Sequence, residues 1–242
     1  MHNHSKRLQD RRIVITGAAS GIGRATAQLF AAEGATLSLL DRDGSLLRQA
    51  AQQIGAHACE ADVTDEASVA RAVADSAARM SGIDGVVNAA GVMLRGSVLE
   101  VSVAEWRRVL EINLTGGYIV VRCCLPWLQK AAEATIVNVG SGQALLPNSP
   151  NRTAYSASKG GVLNLTRALA AELAPAIRAN TVCPGLVDTA MADGVRANVS
   201  NYALKRLAQP EEIARAILFL TSSESSYVTG AALAVDGGRS FH

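Results

Sequence analysis

The chain has 242 residues, 49 % of them hydrophobic and 18 % charged, a balance that suits a well-buried globular core and excludes a disordered chain. Lys and Arg number 23 against 21 acidic residues, leaving a net charge of only +2. With no RNA- or DNA-binding motif beside it, that balance makes no case for a nucleic-acid partner.

Residues 1–10 read as a flexible arm, and the basic cluster Lys6, Arg7, Arg11 and Arg12 as solvated charge. Met1–Ser5 carries no hydrophobic segment of the signal-peptide kind, and no apolar run is expected to approach the roughly 18–20 residues of a membrane span. Cys59, Cys123, Cys124 and Cys183 form no CxxC pair and read as reduced core thiols. A cytoplasmic protein with no membrane partner is therefore expected. His2 and His4 sit in the loose terminus, and no metal site is expected.

Arg12–Thr16 is short, apolar and rich in β-branched residues, the pattern of a buried first strand. The turn Gly17-Ala18-Ala19-Ser20-Gly21-Ile22-Gly23 follows, then a helix from about Arg24 to Glu33. A glycine turn between strand and helix leaves backbone N–H groups at a positive helix end, where a pyrophosphate can sit. The spacing, G-x3-G-x-G, departs from the G-x-G-x-x-G dinucleotide fingerprint. The next strand, 35–40, ends at Asp41, an acid about 20 residues past the turn, placed to bind ribose hydroxyls. Its charge repels a 2′-phosphate and favours NAD, while Arg42 beside it keeps NADP open. Asp41 could instead cap the helix that starts near Gly44.

Alternation continues. Helices are expected near 45–54, 66–80, 102–110, 114–129, 154–173 and 211–221, with a loop between 140 and 153. Strands are expected at 57–60, 85–88, 134–139, 176–182 and 231–235. This order predicts an α/β fold: one domain over the whole chain, with a doubly wound parallel sheet of about seven strands and helices on both faces. Gly17, Asp41, Asp62, Asn88, Ser141 and Pro184 all fall just after expected strands, the edge where such sheets bind ligands. In the helix from Ala154, Tyr155 and Lys159 stand one turn apart on the same face. An ammonium beside a phenol favours the phenolate, which makes the tyrosine a usable acid and base nearer neutral pH.

Together these residues resemble the short-chain dehydrogenase/reductase family, with its Rossmann-type sheet. The matching pieces are Thr16-Gly17-x3-Gly21-Ile22-Gly23, Asp62-Val63, Asn88-Ala89-Ala90-Gly91, Asn113, Ser141, Tyr155-x3-Lys159, and Pro184-Gly185 with Thr189, in the family's order. The resemblance implies that Tyr155 is the general acid and base and that Lys159 lowers its pKa and holds the nicotinamide ribose. Ser141 would hydrogen-bond the substrate oxygen, and Asn113 would hold a water in a proton relay. It assigns the cofactor to Gly17, Ser20, Gly21, Ile22, Gly23, Asp41, Arg42, Asp62, Val63, Asn88, Ala89, Gly91, Tyr155, Lys159, Pro184, Gly185, Val187 and Thr189. Structural roles remain open for several of these: caps for Ser20 and Ser141, and backbone satisfaction for Asn113 and Asn88.

The resemblance also implies a homotetramer packed through the helices around 102–129 and 153–173 and the C-terminal strand region, and a substrate lid over 188–208. Pocket candidates are Met93, Leu94, Gln143, Leu145, Leu186, Met191 and Val195, with Arg95 a weaker candidate anchor for an acidic substrate. The leading expectation is an NAD-dependent oxidoreductase acting on a small secondary alcohol or ketone. An NADPH-dependent 3-oxoacyl-carrier-protein-type reductase and a non-catalytic nucleotide-sensing regulator are the alternatives.

Overall fold

In the computed structural model, which describes residues 6–194 and 199–240, seven parallel strands form one sheet in the order β3-β2-β1-β4-β5-β6-β7. The strands are β1 Arg12–Thr16, β2 Thr36–Asp41, β3 His57–Glu60, β4 Gly85–Asn88, β5 Ala134–Val139, β6 Ile177–Pro184 and β7 Ala232–Val235. The helices are α1 Gly21–Ala32, α2 Gly44–Ile54, α3 Glu66–Met80, α4 Val103–Leu110, α5 Gly116–Leu128, α6 Gly142–Leu145, α7 Thr153–Leu173 and α8 Pro210–Thr221. The central strands are buried on both faces, as β5 is at all six positions, which is why they read as unbroken apolar runs. One core layer joins Val69, Val120, Cys124 and Leu169 of α3, α5 and α7 to the sheet; the other joins Ala27, Phe30, Leu47 and Ile217 of α1, α2 and α8.

Helix starts follow from local chemistry. Asp43 caps α2 and Asp65 caps α3, each accepting backbone N–H groups of the first turn. Ser102 and Glu105 form a reciprocal capping box on α4, and Gln209, Pro210 and Glu212 start α8 the same way.

Three expectations need correction. The first concerns the arm: from residue 6 onward the N-terminus is packed, not loose. Leu8 is fully buried and its N–H donates to the Glu33 carbonyl. The basic cluster is likewise engaged rather than solvated. Arg7 pairs with Glu224, Arg11 reaches the Asp84 carbonyl and Thr135 Oγ1, and Arg12 grips the Asp84 carboxylate through its backbone N–H, Nε and Nη2. These bonds tie the amino ends of β1, β4 and β5 together.

The second is the stretch 103–128. The sequence reads as two helices there, 102–110 and 114–129, but a π turn over Glu111–Thr115 joins α4 and α5 into one helix. By length and composition that helix is apolar and long enough to cross a membrane, contrary to expectation. Here it packs Val120, Val121, Cys124 and Leu128 into the core. Third, the loop after β5 contains the short helix α6, capped by Ser141.

Candidate active site

The sheet order reverses beside β1, which has β2 on one side and β4 on the other. Loops leaving β1 and β4 must part there, and the gap is a ligand site by construction. A cleft of about 750 Å³ opens at that point, lined by Gly17, Ser20, Gly21, Ile22, Gly23, Asp41, Arg42, Asp62, Val63, Ala89, Gly91 and Thr189 among others. A smaller cavity of about 100 Å³ adjoins it, sharing Ile22, Ala89, Gly91, Thr189 and Met191, and holds Ser141, Tyr155, Lys159, Pro184, Gly185 and Val187. Of the expected cofactor residues only Asn88 lines neither. It points into the α5/α7 layer, donating to Asn138 Oδ1 at 2.9 Å and to the Gly117 carbonyl at 3.3 Å.

The glycine turn fits a phosphate cradle by exclusion of side chains. A Cβ on Gly23 would stand 2.2 Å from the Gly17 carbonyl oxygen, and one on Gly17 would stand 2.7 Å from Ala90 N. Gly17 also has φ of +65°, which L side chains rarely adopt. Ser20 stands at the N-cap of α1, yet its side chain makes no capping bond, leaving the hydroxyl and the first-turn N–H groups for a ligand. Asp41 does not cap α2; Asp43 does. The Asp41 carboxylate instead accepts from Ala19 N and Asp43 N, both at 3.1 Å, which fixes it at the cleft wall. Arg42 is exposed, and its charge helps hold the Asp62 carboxyl low, behind the two hydrogen bonds from Thr64.

Ser141 ends β5 and begins α6. Its Oγ accepts from Gln143 N at 3.1 Å, so the hydroxyl proton is free to point elsewhere. Both the cap and a substrate contact are therefore compatible. Lys159 is 5 % exposed, and its Nζ donates to the Val139 carbonyl at 2.8 Å. Burial pushes its pKa down to about 8. Tyr155 departs from expectation: burial pushes the phenol up, and the groups that pull it back are the Ser141 hydroxyl and the Arg152 charge. Lys159 lies 5.9 Å from the ring centroid with one proton committed to Val139.

Asn113 sits inside the π turn, with its side chain spent on neighbours. Oδ1 accepts from Val92 N at 2.8 Å, and Nδ2 donates to the Val92 carbonyl and Ser158 Oγ. A Cβ on Gly91 would fall 3.2 Å from Asn113 Oδ1 and 3.5 Å from Lys159 Nζ, which locates Gly91 over both.

Of the pocket candidates, Met93, Gln143, Leu186 and Met191 line the smaller cavity with Ser141, Tyr155 and Lys159, whereas Leu94 and Leu145 do not. Val195 and the middle of the expected lid, 195–198, lie outside the described residues, as do His2 and His4. Several residues here have uses that the sequence does not signal. Thr16, read only as part of the glycine motif, accepts from Ala89 N and Ala90 N and so shapes the loop after β4. Asn138 bridges Asn88 and Thr166. Arg152, Tyr202 and Arg239 also line the cavity. Away from the cleft, His57, Cys59 and Asp75 bring three donor atoms within 4.8 Å of one another. Burial raises the Cys59 thiol, however, and His57 already bonds Asp75 at 2.6 Å, which fits a strand–helix tie.

The family model described as enoyl-(acyl carrier protein) reductase matches residues 17–240. The chain belongs to the short-chain dehydrogenase/reductase family. This dehydrogenase/reductase is 40 % identical to trans-4-hydroxycyclohexanecarboxylate dehydrogenase of Sinomonas cyclohexanicum, over 98 % of this chain and 96 % of that protein. It is 38 % identical to a 3-oxoacyl-[acyl-carrier-protein] reductase of Thermotoga maritima, over 96 % and 98 %. Ligand-free aldohexose dehydrogenase of Thermoplasma acidophilum superposes with a TM-score of 0.91 at 31 % identity, covering 98 % of this chain and 96 % of that one. As a short-chain dehydrogenase/reductase the protein is an oxidoreductase, of a family whose dehydrogenases use nicotinamide cofactors.

Proposed function

We propose that this dehydrogenase/reductase moves a hydride between NAD(H) and a small secondary alcohol or ketone, with Tyr155 as general acid and base. The observation that carries the reading is one cavity that holds Ser141, Tyr155 and Lys159 and adjoins the cleft lined by the glycine turn and Asp41. The pyrophosphate would rest on the N–H groups of α1 with Ser20, the adenosine ribose on Asp41, and the nicotinamide end near Pro184, Gly185, Val187 and Thr189. The nicotinamide, when bound, supplies or takes the hydride.

The chain's own residues manage the proton. In oxidation the Tyr155 phenolate takes the carbinol proton; in reduction the phenol returns it to the oxygen that becomes the alcohol. Ser141, whose hydroxyl faces the Tyr155 phenol here, would turn its O–H to that same oxygen once substrate is bound, stabilising charge that develops on it. Lys159, held by the Val139 carbonyl, places a positive charge under the site. Because the Asn113 side chain is spent on Val92 and Ser158, a water relay there would use its backbone carbonyl within the π turn, an irregularity often found at functional sites.

Asp41 supports NAD, since a 2′-phosphate would meet a carboxylate fixed by two backbone N–H groups. Affinities for NADH and NADPH, measured side by side on wild type and Asp41→Ala, test this. NADH tighter by at least about tenfold, a gap of roughly 1.4 kcal/mol, with the preference lost in the variant, is expected. Preference for NADPH would make exposed Arg42 the phosphate ligand. It would favour the second reading, an acyl-carrier-protein reductase, which the Thermotoga relative's name supports. Turnover of any alcohol would dispose of a non-catalytic regulator.

We further propose a cytoplasmic homotetramer without a membrane partner, packed through α4, α5 and α7. The exposed Val103 of α4 and Tyr118 of α5 support that packing, because they are large apolar side chains left uncovered on these helices.

A further inference from the structure

Beside the reacting cavity lies a second chamber of about 1020 Å³. The two share Arg152, Leu186, Tyr202 and Arg239, and the chamber adds Arg95 and Lys205. Among the described residues, no Asp or Glu lines either one. Arg95 and Lys205 are exposed, but Arg239 is buried, and a buried guanidinium without a carboxylate partner is unusual.

Arg239 makes the case specific. The residue is only 5 % exposed, and its Nη1 is buried without a hydrogen-bond partner. Its Nη2 donates to Asn148 Oδ1 and, at 3.4 Å, to Ser149 Oγ, both neutral. The nearby Asp236 carboxylate is spent on the N–H groups of Gly238 and Arg239 and on the Ser240 hydroxyl. A Cβ on Gly142 would sit 3.2 Å from Arg239 Nη1, which puts the orphaned nitrogen next to Ser141 and so beside the reacting oxygen's position. Arg152, which lines the same two cavities, makes no ion pair among the described residues, and its pKa is lowered by burial, then by Arg95. Arg95 donates only to the Asp193 carbonyl among the bonds seen here.

The unpartnered Nη1 of Arg239 can donate a charge-assisted bond to a carboxylate, and Arg152 can add a second to the same group. We propose that the substrate is a hydroxy acid or keto acid: its carbinol or carbonyl carbon lies at Tyr155 and Ser141, and its carboxylate lies in the adjoining chamber on Arg239 and Arg152. The assignment rests on the oxidoreductase reading above and narrows it to an anionic substrate class. Arg239 and Arg152 are then specificity residues that orient the substrate without touching the transferred hydride.

The test compares 4-hydroxycyclohexanecarboxylate with its methyl ester, the same skeleton without the charge, as substrates with NAD⁺. Wild type should favour the acid in kcat/KM by at least about tenfold, on the order of 1.4 kcal/mol, with the difference mainly in KM. In Arg152→Gln and in Arg239→Gln that ratio should collapse toward one, and Arg152→Lys should restore part of it. A loop merely held in place by Arg239 would lower both rates and leave the ratio intact, which would count against the proposal. Arg152 is half-exposed, so its variants stay informative if Arg239→Gln fails to fold.

Calorimetric titration of the NADH-bound protein with cyclohexanecarboxylate and with cyclohexanecarboxamide separates the two layers of the reading. Carboxylate binding that is tighter than amide binding and lost in Arg152→Gln supports the anion site even if neither alcohol is oxidised, in which case only the reaction assignment falls. Equal binding of carboxylate and amide, or an ester oxidised as well as the acid, overturns the proposal.

Discussion

At Tyr155 two effects compete, and burial wins: the phenol lies above its ordinary range despite the Ser141 hydroxyl and the Arg152 charge. Oxidation needs the phenolate, so its rate should rise with pH along an alkaline limb. Removing either helper should move that limb. In Ser141→Ala and Arg152→Gln the limb should shift to higher pH in a pH–rate profile of oxidation, and an unmoved limb would mean that neither group faces the phenol. Tyr155→Phe should lose activity by about 10²–10⁴-fold while keeping its fold by circular dichroism.

Lys159 shows a cost of function. Its folded pKa, about 8, lies below the ordinary 10.5, so between those values the folded state binds fewer protons than the unfolded one. By linkage, this residue's contribution makes stability rise with pH across that window, and below it the buried ammonium costs a constant amount. Lys159→Met should therefore be more stable than wild type at pH 7, by on the order of 1–3 kcal/mol, and inactive. The gap should close between about pH 8 and 10.5 in paired denaturant titrations. A gap that does not vary with pH would show that the ammonium is solvated.

The Tyr155/Lys159 pair was legible because a helix makes it local: four residues of separation fix one face. Arg239 was not, since it comes from beyond β7 and meets Ser141 only after the sheet closes. No spacing rule connects residues nearly a hundred positions apart.

Elements obey the same division between local and long-range causes. Apolar periodicity and glycine punctuation located the strands and the long helices within a few residues. The glycine turn was recognisable as a cradle because only glycine satisfies it. Gly23→Ala should destabilise the fold by about 1–3 kcal/mol and abolish NADH binding, because its Cβ would meet the Gly17 backbone at 2.2 Å. Thermal melts with and without NADH check both.

What hid from the sequence were tertiary uses of polar residues. Thr16, Asn88 and Asn138 form one row across three neighbouring strands, a register that no single strand encodes. The N-terminal basic cluster looked like solvated charge because its acceptors lie far along the chain. Burial alone would raise the Asp84 carboxyl, but the Arg12 hydrogen bonds and charge outweigh it and hold it below its ordinary range. Its folded pKa is depressed, so its stabilisation is present above the unfolded carboxylate value and lost as pH falls through the folded one. Asp84→Asn should cost about 1–3 kcal/mol at neutral pH, and the deficit should shrink in acid below about pH 4. Equal midpoints for the two proteins at pH 7 would show the staple to be idle.

Across the whole molecule, the sheet does two jobs with one reversal of strand order. It buries two apolar layers, and it opens a cleft at the carboxyl ends of β1 and β4. Doubly wound topology was readable from alternation alone, since parallel strands need helical crossovers and each crossover is right-handed. The join of α4 to α5 was not, because a π turn keeps the backbone helical where the hydrophobic period slips. The proposed tetramer belongs to this scale: light scattering should give four times the 25.1 kDa chain mass, and Tyr118→Glu on α5 should shift the protein to smaller species. A monomer in wild type would leave the apolar face of α5 without that explanation.

The most direct measurement is the appearance of NADH when the purified protein meets NAD⁺ and a secondary alcohol, with 4-hydroxycyclohexanecarboxylate as the first choice, on wild type and Tyr155→Phe together. NADH formation by wild type, lost in the variant while the variant still binds NADH, is the predicted result. Undiminished turnover in Tyr155→Phe would contradict the account, since the proton would then be passing through some other group.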